Sequence, residues 1–442
     1  MARALGSDAG GLVDSLLLIT ARIGANLLAL AWIFMMARLL VPDEAGRVFQ
    51  AMALAQLGSA LVTANLESGS MRFLVTAEAA GRADVMRGFI RLNRLLVGAL
   101  LVPVAALVAV LLWRKNGGAA DFLPLALSAV AAVPMIALAR MTSRHAAALG
   151  AIRPGLLPRL LAGPLVLTIG LVALHLGGAK PAAWHIVALF TLSEIIAAAL
   201  QQYLLRRRFA FMAQGPADMS GWRDWARQGA WLAPGLAMSE YRKSLLIALA
   251  ALVLAPGDVS RLAIAFSIIN FISFGVVAVD VAFMPRIARA MASGDAVRRD
   301  HLLALSMVIK LAGLALGAAL VWALGPLVLA LLGPEYVSAE GAMMIMLLIP
   351  VLSVLAGPGA GILMAAGLGR LDFASNLAGG VTLALAMWLG GRLGGVDGAA
   401  WGAVAGLGVT VLLAALLSRR GAGIGTTIAC LRHLRQQGEA AK

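Results

Sequence analysis

Leu40-Val-Pro-Asp-Glu-Ala-Gly-Arg47 returns in the second half of the chain as Leu254-Ala-Pro-Gly-Asp-Val-Ser-Arg261. Leucine, proline and arginine keep their places, and at the same offset Gln56 falls on Asn270. Two further matches follow in the same order, namely 133–134 with 349–350 and 148–153 with 365–370. This order indicates an internal duplication. Duplicated membrane bundles place a substrate path where their repeats meet, so the pattern predicts a transporter.

The composition is that of an integral membrane protein. Hydrophobic residues make up 61% of the 442 residues and charged residues 13%, whereas a soluble domain carries about 25% charged residues. The single cysteine, Cys430, excludes an internal disulfide and a cysteine-based metal site. The net charge of +15 is spread over short gaps between apolar runs. That distribution favours loop orientation and contact with anionic membrane lipids over nucleic-acid binding.

Apolar stretches long enough to cross the bilayer, about 20 residues each, recur along the whole chain. We predict twelve spans, near 12–39, 48–70, 91–113, 122–148, 155–176, 184–205, 229–254, 259–284, 302–324, 340–366, 371–391 and 396–418. The first is too long for a cleavable signal peptide and carries Arg22 and Asn26. The spans are predicted as helices, because unpaired backbone is too costly in lipid and strand-like alternation is absent.

Arginine clusters follow the second, sixth and eighth spans and fill the tail, while the opposite loops hold few. The positive-inside rule therefore predicts that both termini are cytoplasmic. Six spans per repeat make the two halves parallel. We predict an all-α integral membrane fold of twelve transmembrane helices in two parallel six-helix lobes around a central cavity. The lobes are 1–208 and 229–418, joined by a cytoplasmic linker at 209–228 and followed by a cytoplasmic tail at 419–442.

No feature of the sequence indicates catalysis. The outward loops are too short for a catalytic domain, and the paired acids Asp43 and Glu44 are typical of a helix N-terminus. There is no phosphate-binding GxxxxGK[ST] motif, and the five histidines lack metal-ligand spacing. We therefore expect no enzyme activity, no cofactor and no bound metal.

Polar residues inside spans usually face the bundle interior or a water-filled cavity. Such residues recur at helical spacing on four spans: Arg22 and Asn26 on the first, Gln56 and Glu67 on the second, Glu240, Arg242 and Lys243 on the seventh, and Asn270 and Asp280 on the eighth. Arg22 alone would cost ~2.5–3.5 kcal/mol at the bilayer centre. Spans 1, 2, 7 and 8 are therefore predicted to form the walls of the cavity.

Several charged residues allow two interpretations. Glu240 and Lys243 are three residues apart, so they could neutralise each other as a structural pair. Glu67 and Asp280 are either interfacial or sites for a coupling ion. Among the remaining long basic side chains, a snorkelling position at the membrane surface is predicted for Arg140, Arg144, Arg159 and Lys310. Glu194, deep in the sixth span, has no evident partner and stays unassigned.

Three stretches of the sequence carry a family resemblance. The stretch Ala37-Arg-Leu-Leu-Val-Pro-Asp-Glu-Ala-Gly46, followed by Val48-Phe49, resembles the loop between helices 1 and 2 of polysaccharide flippases. Leu332-Gly-Pro-Glu-Tyr-Val-Ser-Ala339 resembles their turn before helix 10, and Pro285 with Gly294-Asp295 resembles their helix 8 exit. The span count matches as well. The chain thus resembles the Wzx-like branch of the multidrug/oligosaccharidyl-lipid/polysaccharide exporter superfamily.

The resemblance implies a flippase of the bacterial inner membrane that moves undecaprenyl-diphosphate-linked oligosaccharide for surface polysaccharide synthesis, alongside polymerase or ligase machinery. The sequence adds candidate residues for that substrate. Arg22, Arg242 and Lys243 would replace the lost hydration of the diphosphate. Asn26, Gln56 and Asn270 are further candidates for substrate contact, and Glu67, Glu240 and Asp280 are candidates for a coupling ion.

Three alternatives remain. A multidrug or cation antiporter of the same superfamily would favour an acidic cavity rather than a basic one. A lipid-II-type flippase usually has two more helices, for which the tail at 419–442 is too short and polar. An integral-membrane glycosyltransferase is disfavoured by the short outward loops.

Overall fold

The computed structural model describes residues 2–213 and 215–431, so the last eleven residues of the predicted tail lie outside the described part. The chain forms two compact units, Met1–Ala248 and Leu249–Lys442. This division falls within the seventh predicted span, 229–254, whereas the predicted lobes meet at the linker 209–228. The lobe bounds therefore stay a prediction, and each unit is described by itself.

The first unit is built of ten helices in its described residues. They are α1 (Ala2–Leu39), α2 (Pro42–Thr63), α3 (Ser70–Ala79), α4 (Ala83–Asn116), α5 (Phe122–Ala148), α6 (Ile152–Leu157), α7 (Gly163–Leu176), α8 (Ala183–Leu205), α9 (Trp222–Glu240) and α10 (Arg242–Val253), the last of which ends in the second unit. A π-helical turn at Pro158–Ala162 joins α6 to α7, and a 3-10 turn at Leu66–Gly69 joins α2 to α3.

The second unit continues with six further helices. They are α11 (Pro256–Ala292), α12 (Ala296–Leu332), α13 (Glu340–Met346), α14 (Leu348–Ala356), α15 (Gly359–Ala365) and α16 (Gly369–Ala422). Within α16, Gly394 and Gly395 leave the helical conformation, and Gly395 adopts φ 56°. Glycine tolerates that conformation, so one continuous segment contains the two predicted spans 371–391 and 396–418.

The two halves of α16 approach closely at a glycine. A Cβ added to Gly402 would lie 2.5 Å from the backbone nitrogen of Met387. Small residues let membrane helices pack backbone against backbone, which strengthens van der Waals contact where lipid provides no hydrophobic driving force. This contact holds the two predicted spans together as a hairpin.

The repeated sequence begins a helix in the same way in both units. Val41 and Ala255 are extended, with ψ of 156° and 155°, and Pro42 and Pro256 are the first residues of α2 and α11. Proline suits this position because the first helical N–H has no partner within the helix. The duplication seen in the sequence is therefore also a duplication of local structure.

The arginine five residues after each of these prolines also repeats its contact. Arg47 pairs with Glu44 at 2.6 Å, and Arg261 pairs with Asp258 at 2.7 Å. In each case the acid lies in the first turn of its helix, where negative charge is favoured by the helix dipole. The arginines of the repeat thus stabilise the starts of α2 and α11.

The described residues contain helices and no strands, and nine of the helical segments are long and apolar enough to cross a membrane. One of the nine, α16, carries two predicted spans. The predicted spans 48–70 and 229–254 correspond to α2 and to α9 with α10, which are not among the nine. All twelve predicted spans thus have a helical counterpart, and the chain is a multi-span membrane protein.

The predicted linker packs against α4 within the first unit. The Asp218 backbone N–H donates to the Asp84 carbonyl at 3.0 Å, and the Arg87 side chain donates to the Pro216 carbonyl at 2.8 Å. A Cβ on Gly88 would overlap the Asp218 carbonyl, so glycine is needed there. The segment between α8 and α9 is therefore docked along the start of α4.

Candidate functional site

Arg140 and Glu67 form an ion pair in the interior of the first unit. The Arg140 side chain is 1% exposed and that of Glu67 is 0% exposed, with 3.1 Å between Nη2 and Oε1. The same Nη2 donates to Asn65 Oδ1 at 2.8 Å. Buried charges persist only when they are paired and hydrogen bonded, and this arrangement meets both conditions for the arginine. Arg140 is therefore a buried structural cation, and the prediction that it snorkels to the surface is wrong.

The seventh predicted span contacts the same arginine at a break between two helices. Helix α9 ends at Glu240 and α10 begins at Arg242, with Tyr241 between them. Arg140 Nη1 donates to the Tyr241 hydroxyl, and its guanidinium carbon lies 4.7 Å from the centre of the Tyr241 ring. The Glu240 carboxylate lies 3.5 Å from Arg140 Nη2.

Glu240 has a second arginine partner on α5. Arg144, one turn after Arg140, donates to Glu240 Oε1. Glu67 and Glu240, the two coupling-ion candidates in the first unit, are thus both paired with arginines of α5. The interpretation of Glu240 and Lys243 as a structural pair is therefore wrong, while both interpretations of Glu67 stay predictions.

The three cations predicted to contact the substrate have surroundings that differ from those of the two acids. Lys243 Nζ lies 5.9 Å from the Trp32 ring centre and 5.7 Å from that of Phe49. Arg242 Nε donates to the Met238 carbonyl at 3.3 Å. Arg22 is exposed on α1. Among the described residues, none of these three cations forms an ion pair with a carboxylate.

The amide residues near these cations contact other parts of the first unit. Gln56 on α2 accepts a hydrogen bond from the Ser244 hydroxyl at 2.6 Å, which links α2 to α10 directly after Lys243. Asn26 donates to the Arg22 carbonyl at 3.0 Å, a contact within α1. The structure thus brings Gln56 next to the seventh-span cluster and leaves the role of Asn26 a prediction.

The second unit holds the two remaining predicted site residues. Asp280 on α11 forms an ion pair with Lys310 on α12, whose side chain is 1% exposed. The prediction that Lys310 snorkels is therefore wrong. Asn270 is exposed on α11, ten residues before Asp280. The substrate-binding and coupling roles of these residues stay predictions.

The centre of the first-unit cluster is not among the predicted site residues. Tyr241 and Asn65 carry no distinct signal in the sequence, because one is an ordinary tyrosine and the other lies at the end of a polar helix face. For Arg140 the sequence prediction is a snorkelling position only. Its position eight residues inside the predicted span 122–148 was the available signal, since an arginine at that depth needs a partner.

Two other features lie apart from these clusters. Glu194 on α8 has a buried Oε2 without a hydrogen-bond partner in the described residues and remains unassigned. Two cavities of about 570 and 500 Å³ lie along α7 and α8. Both are lined almost wholly by apolar side chains, with Arg153 the one residue of formal charge, so neither gathers the predicted site residues. The described residues contain no cluster of His, Cys, Asp or Glu able to hold a metal ion.

Solved structures share this architecture at low sequence identity. An inward-facing multidrug resistance MATE family transporter of the MOP superfamily is 14% identical, with a TM-score of 0.72 over 94% of this chain and 99% of that chain. Lipid II flippase MurJ, in an inward closed conformation, is 11% identical, with a TM-score of 0.73 over 95% of this chain and 89% of that chain. An outward-facing MATE family transporter is 14% identical, with a TM-score of 0.62 over 95% and 96% of the two chains.

No family model and no curated protein matches the chain. The structural similarities show the fold, which is the all-α membrane fold of twelve helices in two six-helix halves, as predicted from the sequence. The similar structures named above are transporters and a flippase rather than enzymes.

Proposed function

We propose that the protein is a flippase that translocates an undecaprenyl-diphosphate-linked oligosaccharide across the bacterial inner membrane by alternating access. Its biological role would be surface polysaccharide synthesis. Its termini would be cytoplasmic, and membrane lipids and a polysaccharide polymerase or ligase would be its partners. The superfamily resemblance of its turns and the fold shared with MATE transporters and MurJ support a transport function.

One observation carries the choice of an anionic substrate. In the first unit the acids Glu67 and Glu240 are bound by arginines of α5, whereas Arg22, Arg242 and Lys243 have no carboxylate partner among the described residues. A cation in a predicted membrane span without a counter-charge is costly, and a bound anion would offset that cost.

A diphosphate fits these cations chemically. It cannot enter hydrocarbon unaided, because an isolated charge there costs tens of kcal/mol by Born estimates. Arginine binds two phosphate oxygens with its planar fork, and lysine binds as a compact point charge. The cations would therefore hold the headgroup while the polyprenyl chain stays in lipid.

A multidrug or cation antiporter is the second candidate, because MATE transporters share the fold. A cationic substrate needs an accessible carboxylate, however. Each predicted acid is paired, since Glu67 and Glu240 contact arginines and Asp280 contacts Lys310. The charge arrangement therefore favours the anionic substrate, and an integral-membrane glycosyltransferase has no feature in its support.

Reconstituted protein tests the proposal directly. Liposomes with a fluorescent polyprenyl-diphosphate saccharide would be assayed for loss of the outer-leaflet signal to a membrane-impermeant quencher. We expect translocation by the wild type and loss of at least about tenfold in an Arg242→Met, Lys243→Met variant of equal thermal stability. Transport of a cationic dye without translocation of the lipid would instead identify the antiporter.

A further inference from the structure

Arg140 lies between two interruptions of helix geometry in the first unit. The first follows α2, where Ala64 and Asn65 adopt φ of 47° and 52°. Non-glycine residues rarely adopt this left-handed conformation, and two in succession persist only where the surroundings hold them. The second interruption is at Tyr241, between α9 and α10.

A single guanidinium contacts both interruptions. Its Nη2 donates to Asn65 and lies against the Glu67 carboxylate. Both of these residues are in the segment that follows α2, at the first interruption. Its Nη1 donates to the Tyr241 hydroxyl, and Nη2 also faces Glu240, which belong to the second. Arg140 is the largest of the fully buried side chains in the described residues. Its planar fork therefore fixes two non-helical segments relative to each other.

Backbone packing brings the same two segments together. A Cβ on Gly229 of α9 would lie 3.2 Å from the Ala64 carbonyl oxygen, so α9 runs directly against the break after α2. Trp225, one turn earlier, is buried in a cluster with Leu66 and Phe89. Helix α9 thus rests on the first interruption along its side and meets Arg140 at its end.

We propose that Arg140 is a positioning residue for the Arg242/Lys243 cation pair, because it ties the break after α2 to the break that precedes these cations. Tyr241, its partner, is the residue immediately before Arg242. A change in the backbone at Asn65–Glu67 would pass through the guanidinium to Tyr241 and reorient the two cations. The part that concerns the anion rests on the proposed function, whereas the tie between the breaks does not.

Hydrogen–deuterium exchange of the full chain in nanodiscs tests the tie. Arg140→Gln removes the charge and the fork, and Arg140→Lys keeps the charge alone. In both variants we expect about tenfold faster exchange in peptides covering 62–70 and 238–245 together. Arg144→Gln is the matched control, because Arg144 forms its ion pair with Glu240 and interacts with Glu67 only through charge, so peptide 238–245 should exchange faster than peptide 62–70. Acceleration of one segment alone in both Arg140 variants, or of neither, would overturn the tie.

Binding of farnesyl diphosphate, a short polyprenyl diphosphate, tests the positioning. We expect about tenfold weaker binding by Arg140→Gln, although Arg242 and Lys243 are intact. Arg140→Lys should also bind more weakly than the wild type, because it lacks the fork. Unchanged affinity in variants with faster exchange would overturn the positioning role. A wild type that binds no diphosphate would contradict the proposed function, while the exchange result would still decide the tie.

Discussion

Glu67 Oε1 lies 3.1 Å from Arg140 Nη2, and neither side chain is more than 1% exposed. Neither carboxylate oxygen of Glu67 has a hydrogen-bond donor of good geometry in the described residues. The pair is therefore held mainly by charge, and removal of the carboxylate leaves Arg140 with Glu240 as its remaining counter-charge.

From this relationship we expect Glu67→Gln to lower the free energy of unfolding by about 3 kcal/mol, because breaking the buried pair leaves Arg140 with only the partly exposed Glu240 as counter-charge. Thermal unfolding in detergent would measure the loss. The matched double variant Glu67→Gln, Arg140→Met should recover part of it. A Glu67→Gln protein with unchanged stability would show that the pair is not a structural element.

The Asp280–Lys310 pair gives a second prediction. We expect Asp280→Asn to destabilise the protein by about 3 kcal/mol, because Lys310 is left buried without its partner. Lys310→Met in the same chain should restore stability. If the double variant is stable yet no longer depends on an ion gradient for transport, Asp280 is a coupling residue. If gradient-dependent transport returns with stability, the pair is structural.

Arg22 offers the cleanest test of a substrate contact. Its side chain is exposed and makes no ion pair among the described residues, so Arg22→Ala should cost little stability. We expect this variant to lose export of surface polysaccharide at normal protein level. Arg22→Lys should retain part of the export, because the charge survives without the bidentate fork.

The control for Arg22 lies on the same helix. Arg38 is exposed near the end of α1 and stacks over the Phe34 ring at 5.4 Å. Arg38→Ala removes an arginine from α1 without touching the proposed site, so export should persist. Wild-type export from a well-expressed Arg22→Ala protein would rule out a role for Arg22 with the diphosphate.

Linker docking should respond to acid. The backbone N–H of Ser220, its hydroxyl and the charge of Arg82 stabilise the Asp218 carboxylate and lower its pKa below the usual value of about 3.9. The folded-state pKa is depressed, so this contribution is present above the unfolded-state value and is lost as the pH falls through the folded-state pKa.

We therefore expect the linker peptide 215–221 to exchange amide hydrogens faster in Asp218→Asn than in the wild type at pH 7. When rates are expressed as protection factors, which correct for the slower intrinsic exchange in acid, the wild type should lose this difference only below about pH 4. Mass spectrometry of quenched samples measures both. Equal rates at neutral pH would mean that backbone contacts alone hold the linker.

Topology can be tested with two glycines that have open space for a side chain. A Cβ on Gly118 or on Gly425 meets no atom within 4 Å. In a Cys430→Ser background, we expect a membrane-impermeant maleimide to label Gly118→Cys from outside intact cells and Gly425→Cys only after permeabilisation. Labelling of both from the same side would contradict cytoplasmic termini.

The spans were predictable because hydropathy and loop charge are local properties of the chain. The beginnings of α2 and α11 were marked by Pro42 and Pro256. The break at Ala64 and Asn65 was not predictable, since no glycine or proline marks it. Asn65 is hydrogen bonded to Arg140, which lies on another helix, and no periodicity in the sequence relates the two positions. Arg22, Arg242 and Lys243 are candidates that the sequence itself indicates. That these cations form no ion pair with Glu67 or Glu240 becomes visible only in the three-dimensional contacts.

The buried Lys310 also constrains how the protein is made. Helices α11 and α12 are joined only by the short turn at 293–295, and each carries one charge of the ion pair. A lone charge within a span is costly, by up to ~2.5–3.5 kcal/mol at the bilayer centre on the insertion scale. Entry of the two helices into the lipid as a neutral hairpin avoids that cost. The translocon would thus retain α11 until α12 has been synthesised.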